Sequence, residues 1–377
     1  MVMGMSKMGE NIVLVFDEVL DRRAFDLFNL YRQKGVGYRF AFAENSLAQK
    51  GLYPGSLSYE RTQVGLLQLI NQHPGAQFVY MPLLEESLAE FYSFEPLFGG
   101  KLLHLLPTET TFALLRDKQA LTNWAQQGQW APASFSHESL CEETTWADGL
   151  KVMAKPVHGR GSRGIAVLHN AAEARAFQPT EPYLYQTFVG DGKSVVGVSV
   201  LSNQGKIVSS YQHQRIRTYP ESGGVSTCAT LCCEVRLTEI VEEMVAVLNC
   251  SGLLMFEFLR DDQGKWLLLE CNPRLWGTVA LGEFSGYSLV EKYIALCTGT
   301  EVVSEVIKTD AGIRWMFPYE YMWILKGGST RLKWLLKQPN EWHIGMSGAG
   351  MRFVGYIFFS LMDQKKWKTF WRKLRQS

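Results

Sequence analysis

Glu257, Glu270 and Asn272 are the residues whose types and spacing most directly suggest chemistry. They lie in MFEFLRDDQGKWLLLECNPRLWG, Met255 to Gly277. Two apolar runs, Leu253–Leu259 and Trp266–Cys271, flank the turn sequence Asp261-Asp262-Gln263-Gly264, so the stretch reads as a β-hairpin. A turn centred on Asp262 and Gln263 pairs Glu257 with Leu268, one diagonal step from Glu270. Side chains alternate between the faces of a strand, so Glu257, Glu270 and Asn272 would share one face. Two bare carboxylates that close repel each other. Hard oxygens grouped this way suit Mg2+ (or Mn2+), which takes the rest of its shell from water and phosphate. Arg274 follows at once and could clamp an anion as a rigid fork. An exposed hairpin with solvated acids has the same residues, but apolar neighbours on both sides weigh against it.

A second cluster precedes this one. Val152–His169, VMAKPVHGRGSRGIAVLH, contains G-x-G-x-x-G at Gly159, Gly161 and Gly164. A dinucleotide-binding turn of this form must enter a helix. Here a strand-like run, Ile165 to Leu168, follows, so the arrangement is strand, glycine loop, strand. Such a flap can lay backbone N–H groups over phosphates. Lys155 stands on the first strand within reach of the same phosphates, and Arg160, Ser162 and Arg163 add donors. An ordinary flexible hairpin is the plainer alternative. Lys118, in the stretch Thr108–Gln127, reads on its own as a solvated surface lysine.

The elements that must position these groups are legible in outline. The chain has 377 residues, long enough for two or three domains. Lys+Arg number 38 and Asp+Glu 37, which gives no basic signature for nucleic acid. Seven cysteines are scattered without metal-ligand spacing, as expected of reduced thiols in a cytoplasmic protein. The N-terminal residues lack the apolar run of a signal peptide, and no stretch reaches the ~20 apolar residues of a membrane span. Residues 1–107 alternate β and α: strands at Asn11–Phe16, Tyr38–Ala43 and Gln77–Met81, helices at Asp21–Lys34 and around Leu66–Ile70. This predicts a small doubly wound sheet. No glycine-rich turn follows its first strand, which argues against a nucleotide there. Thr108–Gln127 reads as one helix with Asp117 and Lys118 in its middle. Phe188 to Gly192 reads as a linker between lobes. Val195–Leu201 and Lys206–Tyr211 pair as a hairpin, and Leu237–Leu248 and Tyr287–Leu296 are helical.

Two stretches stay ambiguous. His213, Arg215 and Arg217 alternate along an extended segment. They form either a basic stripe facing an anion or the defence of an edge strand. From about Glu301 the chain becomes rich in tryptophan: Trp315, Trp323, Trp334, Trp342, Trp367 and Trp371. Its end carries Lys365, Lys366, Lys368, Arg372, Lys373 and Arg375 around Trp367, Phe370 and Trp371. That tail is either a packed terminal helix or a segment that lies on the inner face of an anionic membrane.

Taken in order, Asp117-Lys118, Lys155-Pro156 before a glycine loop, a linker after Gln186, Glu257, and Glu270-Cys271-Asn272-Pro273-Arg274 resemble the ATP-grasp superfamily. The last is close to its E-x-N-P-R signature. The resemblance covers roughly residues 10 to 300, including a preceding α/β lobe like that of carbamoyl-phosphate-synthase-like and D-alanine–D-alanine-ligase-like members. It implies an α/β and α+β architecture: a pre-ATP-grasp domain over 1–107, an ATP-grasp domain over 108–300 and an extension over 301–377. The ATP-grasp part divides into a first lobe, 108–180, carrying the glycine flap, and a second, 181–300, carrying the metal hairpin.

The resemblance further implies ATP between the two lobes. Lys118 and Lys155 would touch its phosphates, under a flap of Gly159, Gly161, Ser162 and Gly164. Gln186, Phe188 and Val189 would hold the adenine and Asp191 the ribose. Glu257, Glu270 and Asn272 would bind Mg2+, and Arg274 and Arg215 would steady the transferred phosphoryl group. The reaction implied is carboxylate activation by phosphorylation, then attack by an amine. Partners would be a small carboxylate and an amine, with a homodimer favoured. The alternatives are a non-catalytic ATP-binding partner docked through its Trp-rich C-terminus, and a kinase-like reaction that stops at the phosphorylated product.

Overall fold

β1 (Ile12–Phe16) shows why the N-terminal region folds as it does. Every residue of IVLVF is buried, because both faces of its sheet are covered. Ile12, Leu14 and Phe16 enter one core with Phe25 and Phe28, while Val13 and Val15 enter another with Leu66, Leu69 and Phe91. β2 (Arg39–Phe42), β3 (Leu57–Ser58), β4 (Gln77–Met81) and β5 (Leu102–Leu103) complete a parallel sheet of order β3-β2-β1-β4-β5. Its helices are α1 (Arg22–Lys34), α2 (Leu47–Leu52), α3 (Gln63–Gln72) and α4 (Glu85–Phe94). Asp21 caps α1 by accepting from Arg23 N, and Gly35 ends it at φ 73°, where a side chain would be strained. This is the doubly wound sheet expected from the β/α alternation. The structure is a computed structural model that describes residues 11–43, 46–159, 164–191, 194–219, 225–302, 305–315, 320–335, 341–344 and 351–363.

The stretch read as one helix over Thr108–Gln127 is two. α5 (Glu109–Arg116) stops at Asp117, whose backbone is extended at φ −87°, ψ 108°. The Asp117 carboxylate then accepts from Ala120 N at 2.8 Å and starts α6 (Lys118–Gln127). An aspartate satisfies the orphan N–H groups of a helix start better than it sits inside a helix. The break puts Lys118 on the first turn of a new helix rather than mid-face on a longer one.

β6 (Ser134–Phe135), β7 (Val152–Pro156), β8 (Ala166–Leu168) and β9 (Tyr183–Thr187) form an antiparallel sheet of order β6-β9-β7-β8. α7 (His137–Leu140) and α8 (Ala171–Ala176) accompany it. The glycine stretch joins β7 to β8, the strand–loop–strand order expected. Of that stretch Gly161 and Ser162, with Arg160 and Arg163, lie outside the described residues.

A larger sheet comes next, of order β14-β13-β10-β11-β12-β15-β16. Its strands are β10 (Val196–Asn203), β11 (Lys206–Tyr219), β12 (Val225–Cys232), β13 (Gly252–Arg260), β14 (Trp266–Asn272), β15 (Gly312–Trp315) and β16 (Glu341–Ile344). β10 and β11 turn through Gln204 and Gly205, both at positive φ (48° and 75°), the two-residue turn that matches strand twist. α9 (Val235–Leu248) covers one face, where Leu237, Val241 and Met244 meet Val198, Phe256, Phe258 and Leu268. The other face meets the N-terminal region through Leu201, Tyr211, Leu253 and Met255. α10 (Val279–Phe284) and α11 (Leu289–Thr298) pack on that side.

Past residue 301 the described strands join this body. β15 pairs with β12, and β16 pairs in parallel with β15. Two further helices among the described residues are α12 (Tyr321–Lys326) and α13 (Met351–Met362). Two tryptophans offered by the sequence as a docking end are engaged by the fold instead, one buried and one half-buried. Trp315 is 2% exposed and donates from Nε1 to Asp26 Oδ2 at 3.2 Å. Trp323 lies under the guanidiniums of Arg217 and Arg331, at 4.6 and 4.1 Å. The side chains of Trp334 and Trp342, and the whole basic tail, lie outside the described residues. No helix among the described residues is long and apolar enough to cross a membrane.

Candidate active site

The hairpin β13–β14 places the acids, by a register the sequence alone did not indicate. Glu257 lies directly opposite Glu270, and Phe258 opposite Leu268, with a bulge between the two pairs. Leu268 is therefore not the partner of Glu257. The turn is wider than two residues: Gly264, at φ 84°, closes it, and Asp261 Oδ1 accepts from Gln263 N and Lys265 N. The bulge residue is Leu269, and it matters for parity. Leu268 faces the apolar core under α9. In a regular strand Glu270 would point the same way. The extra residue turns Glu270 and Asn272 to the face of Glu257, toward the cleft. It also leaves the Leu269 carbonyl free to accept from Lys155 Nζ at 3.0 Å.

Cations from three elements converge on this face. Lys118, at the start of α6, donates to the Gly159 carbonyl at 2.8 Å and lies 3.8 Å from Glu270 Oε2. It thus ties the base of the glycine flap to the hairpin. Lys155 on β7 is 8% exposed. Burial pushes its pKa down to about 8, with Glu270 opposing the shift and Lys118 adding to it. Arg215 on β11 pairs with Glu257 Oε1. Arg274 Nη2 donates to Asn272 Oδ1 at 2.6 Å and reaches Glu85 Oε1 at 3.1 Å, while its Nη1 donates to the Leu275 carbonyl. Burial alone would raise the Glu270 carboxyl, but Lys118, Lys155, Arg215 and Arg274 around it hold it below the ordinary value. Glu257 is raised by burial, with Arg215 working against that.

The interlobe linker lies beside the hairpin. Gln186 is buried and donates from Nε2 to Thr122 Oγ1 on α6 at 3.1 Å. Phe188 N donates to the Lys151 carbonyl at 2.8 Å. Val189 packs with Val195, Leu259 and Leu267, so the linker is fastened to the hairpin. Asp191 is exposed and holds Ser194 N at 2.8 Å and Ser194 Oγ at 2.6 Å. Gly164, at φ 71°, lies close under Tyr183, whose hydroxyl donates to its carbonyl at 2.8 Å.

The basic stripe at His213, Arg215 and Arg217 resolves into three separate fates. β11 is an inner strand, paired on both sides, so edge defence is excluded. Bulges at Arg215/Arg217 and Arg217/Thr218 break the alternation. Arg215 joins the site. Arg217 makes a two-pronged pair with buried Glu320, which Arg314 also approaches at 3.7 Å. His213 is 2% exposed and Nε2 meets Thr278 Oγ1 at 3.0 Å. Burial, with Arg215 nearby, drives its pKa down to about 3, so it is neutral. It lies over Gly197, where a Cβ would come within 2.3 Å of the ring.

Two residues of this network carried no sequence signal. Glu85 is a glutamate at the start of α4, and only the packing of the N-terminal sheet on the Arg274 loop brings it in. That loop is held by Leu275 N to the Pro82 carbonyl at 3.1 Å and Arg23 Nη1 to the Leu275 carbonyl at 2.7 Å. Leu269 reads as one more apolar strand residue.

The donor set fits a hard divalent cation. Among the described residues no group of three His, Cys, Asp or Glu forms an all-protein cage. Two facing carboxylates with an amide oxygen leave coordination positions for phosphate and water, which is how Mg2+ is usually held.

Comparison with known proteins identifies the fold. Residues 115–278 match the family model described as "ATP-grasp domain". A search of curated proteins gave no match. Among solved structures, the biotin carboxylase domain of Hydrogenobacter thermophilus 2-oxoglutarate carboxylase, solved with MgADP, ADP and bicarbonate, superposes with a TM-score of 0.59. It is 15% identical over 80% of this chain and 73% of that one. Campylobacter jejuni biotin carboxylase gives 0.58 at 17% identity, over 80% and 74%. N5-carboxyaminoimidazole ribonucleotide synthetase from Thermotoga maritima gives 0.50 at 16% identity, over 78% of each. The chain therefore has the ATP-grasp fold, with an ATP-grasp domain over residues 115–278.

Proposed function

We propose that the protein is an ATP- and Mg2+-dependent ligase that phosphorylates a small carboxylate and passes the acyl group to an amine. The observation that carries this reading is the meeting of Lys118 and Lys155, from one lobe, with Glu270 beside Glu257 on the other. Phosphoryl transfer asks a protein for positioning and charge neutralisation rather than a covalent group. Lys118 and Lys155 bind ATP phosphates in this scheme, with Lys155 nearest the α-phosphate. Lys155 keeps most of its charge near neutral pH, since its pKa is about 8. Gln186, Phe188 and Val189 line the adenine and Asp191 faces the ribose. Glu257, Glu270 and Asn272 hold the metal, which supplies neutralisation of phosphate charge. Backbone N–H groups of the glycine stretch would serve the phosphates in this scheme and shield the acyl phosphate from water.

The bonds made and broken balance. A carboxylate oxygen of the substrate takes the γ-phosphoryl group and ADP leaves. The amine nitrogen then attacks the acyl carbon, the C–O bond to phosphate breaks, and the amine loses a proton as the amide forms. Arg274 and Arg215 steady the charge on the transferred group. Both are ion-paired within the protein, to Glu85 and Glu257, so substrate binding exchanges one carboxylate or phosphate contact for another.

The test is ADP release over a panel of amino acids and amino sugars, with and without Mg2+. One carboxylate–amine pair should stimulate release, and Glu270→Gln should lower it by about 100-fold or more. If no pair stimulates release and the variant binds ATP as well as the parent, the ligase reading fails.

A further inference from the structure

One row of paired residues crosses four strands of the large sheet at the candidate site. His213 on β11 lies opposite Gly197 on β10, Gly197 opposite Glu257 on β13, and Glu257 opposite Glu270 on β14. Residues paired in this way share a face. Glu257 and Glu270 are the proposed metal ligands, whereas His213 and Gly197 have no task in the scheme above. Gly197 is not in the left-handed region, so no turn demands a glycine there. Space does. A Cβ at this position would come within 2.3 Å of His213 Cε1, 2.8 Å of its Nε2 and 3.0 Å of its Nδ1, so the imidazole lies over the glycine.

The ring is anchored to the segment that follows Arg274. Its Nε2 meets Thr278 Oγ1 at 3.0 Å. On the same strand face, Tyr211 Oη accepts from Trp276 Nε1 at 2.9 Å and donates to the Thr278 carbonyl at 3.2 Å. Arg215, two residues along β11 from His213, reaches across β10 to Glu257. Arg215 N is bonded to the Val195 carbonyl, so this reach runs between the levels of Val195 and Gly197, past the imidazole. Burial and the Arg215 charge keep His213 neutral, so it does not compete with Arg215 for the carboxylate. Among the described residues its Nδ1 is buried and makes no hydrogen bond. An apolar ring would serve packing alone without leaving a buried nitrogen unpaired.

We infer that His213, seated on Gly197 and tied to Thr278, is a positioning residue that fixes the Arg215–Glu257 pair and so sets where Glu257 presents its carboxylate to the metal. The imidazole fills the slot that a side chain at position 197 would take. Glu257 is thereby kept from folding back along the row toward β11, and Arg215 meets it from the cleft side. The Thr278 bond holds this slot at a constant distance from the Arg274 segment. The inference rests on the assignment of Glu257 to Mg2+ and is independent of the acceptor and of the ligase step.

The experiment is calorimetric titration of the full chain with ATP, once with Mg2+ and once with a chelator. The ratio of the two affinities measures what the metal adds. Gly197→Ala, which drives a methyl into the ring, and His213→Ala, which removes it, should each cut that ratio by about 10- to 100-fold. Affinity without metal should change by less than about threefold. Because both variants act on one contact, Gly197→Ala combined with His213→Ala should recover about fivefold or more over Gly197→Ala alone. His213→Gln, whose amide can still reach Thr278, should keep more of the ratio than His213→Ala. Circular dichroism checks each fold, and should Gly197→Ala unfold, the two His213 variants decide. An unchanged ratio in the folded variants overturns the inference, as does an equal fall in both affinities, which marks a merely structural role. So does a double variant no better than Gly197→Ala. A parent whose ATP affinity ignores Mg2+ overturns the metal assignment and this inference with it. A parent with a normal ratio but no carboxylate–amine pair that stimulates ADP release sinks the ligase reading alone.

Discussion

Two ionic clusters share strand β11 and behave in opposite ways. Arg215 enters the cleft and meets Glu257, beside Glu270, Lys118, Lys155 and Arg274. Arg217, two residues on, turns into the interior and meets Glu320 together with Arg314, both of the latter 0% exposed. The residue types are the same. In the cleft, four cations outnumber three carboxylates, Glu257, Glu270 and Glu85, the groups are partly open to solvent, and each contact can be exchanged for a phosphate oxygen. In the interior one carboxylate, Glu320, is 0% exposed and held by its guanidiniums, with Arg217 also lying over Trp323. Glu283 sharpens the contrast. It is fully buried, accepts from Tyr31 Oη and Val290 N, and has no surplus of cations. Burial, with Glu291 adding, raises it to about 7, whereas Glu270 is held low. Surrounding charge, more than burial, decides whether a carboxylate here is poised for a ligand or locked in place.

The hardest test of this contrast is the bulge that creates the open cluster. Inserting an alanine between Leu269 and Glu270 should reverse the count and turn Glu270 to the side of Leu268 and Phe258, against the apolar core. Loss of Mg2+-dependent ATP binding and of at least about 4 kcal/mol in urea unfolding is expected. Retained ATP binding would show that the bulge does not set the site. Next in size is Glu320→Ala, which removes the carboxylate that Arg217 and Arg314 face. It should cost about 3–5 kcal/mol and leave ATP affinity unchanged. A drop in ATP affinity with little loss of stability would join the two clusters into one.

Glu283→Gln comes third. The folded pKa of Glu283 lies above its unfolded value of 4.5, so its contribution is full below that pH and fades as pH rises to about 7. The parent should lose stability over that window with up to about 1.4 kcal/mol per pH unit more slope than the variant. Parallel profiles would mean that Glu283 is ionised in the fold. The smallest effect is expected from Asp117→Ala, about 1 kcal/mol for the lost helix cap. It should also weaken ATP binding, since Lys118 hangs from that helix start. An ATP affinity equal to the parent's would show that the cap does not position the lysine.

Much of the frame was legible in the chain. The buried run Ile12–Phe16, the β/α alternation after it, and the strand–glycine–strand order around Gly159 all rest on local pattern, and the structure keeps them. The break at Asp117 was missed because the apolar spacing of α5 and α6 runs on in phase. An aspartate can sit on a helix surface or start a helix, and only its hydrogen bond to Ala120 N distinguishes the two. The stripe at His213, Arg215 and Arg217 was misread as one surface because strict alternation was assumed, and two bulges undo it.

Sequence alone determined the inventory and its order: two lysines, a glycine loop, a linker and a hairpin with two glutamates, an asparagine and an arginine. Those follow from residue type and short-range spacing. Only the tertiary structure decided which arginine faces the cleft, that Glu85 from the N-terminal sheet holds Arg274, and that Leu269 bulges so that Glu270 meets Glu257. The physical reason is parity. A strand assigns each side chain to a face by counting, and one extra residue reverses the count. Whether that residue is accommodated depends on what packs against both faces, here the core under α9 on one side and Lys155 on the other.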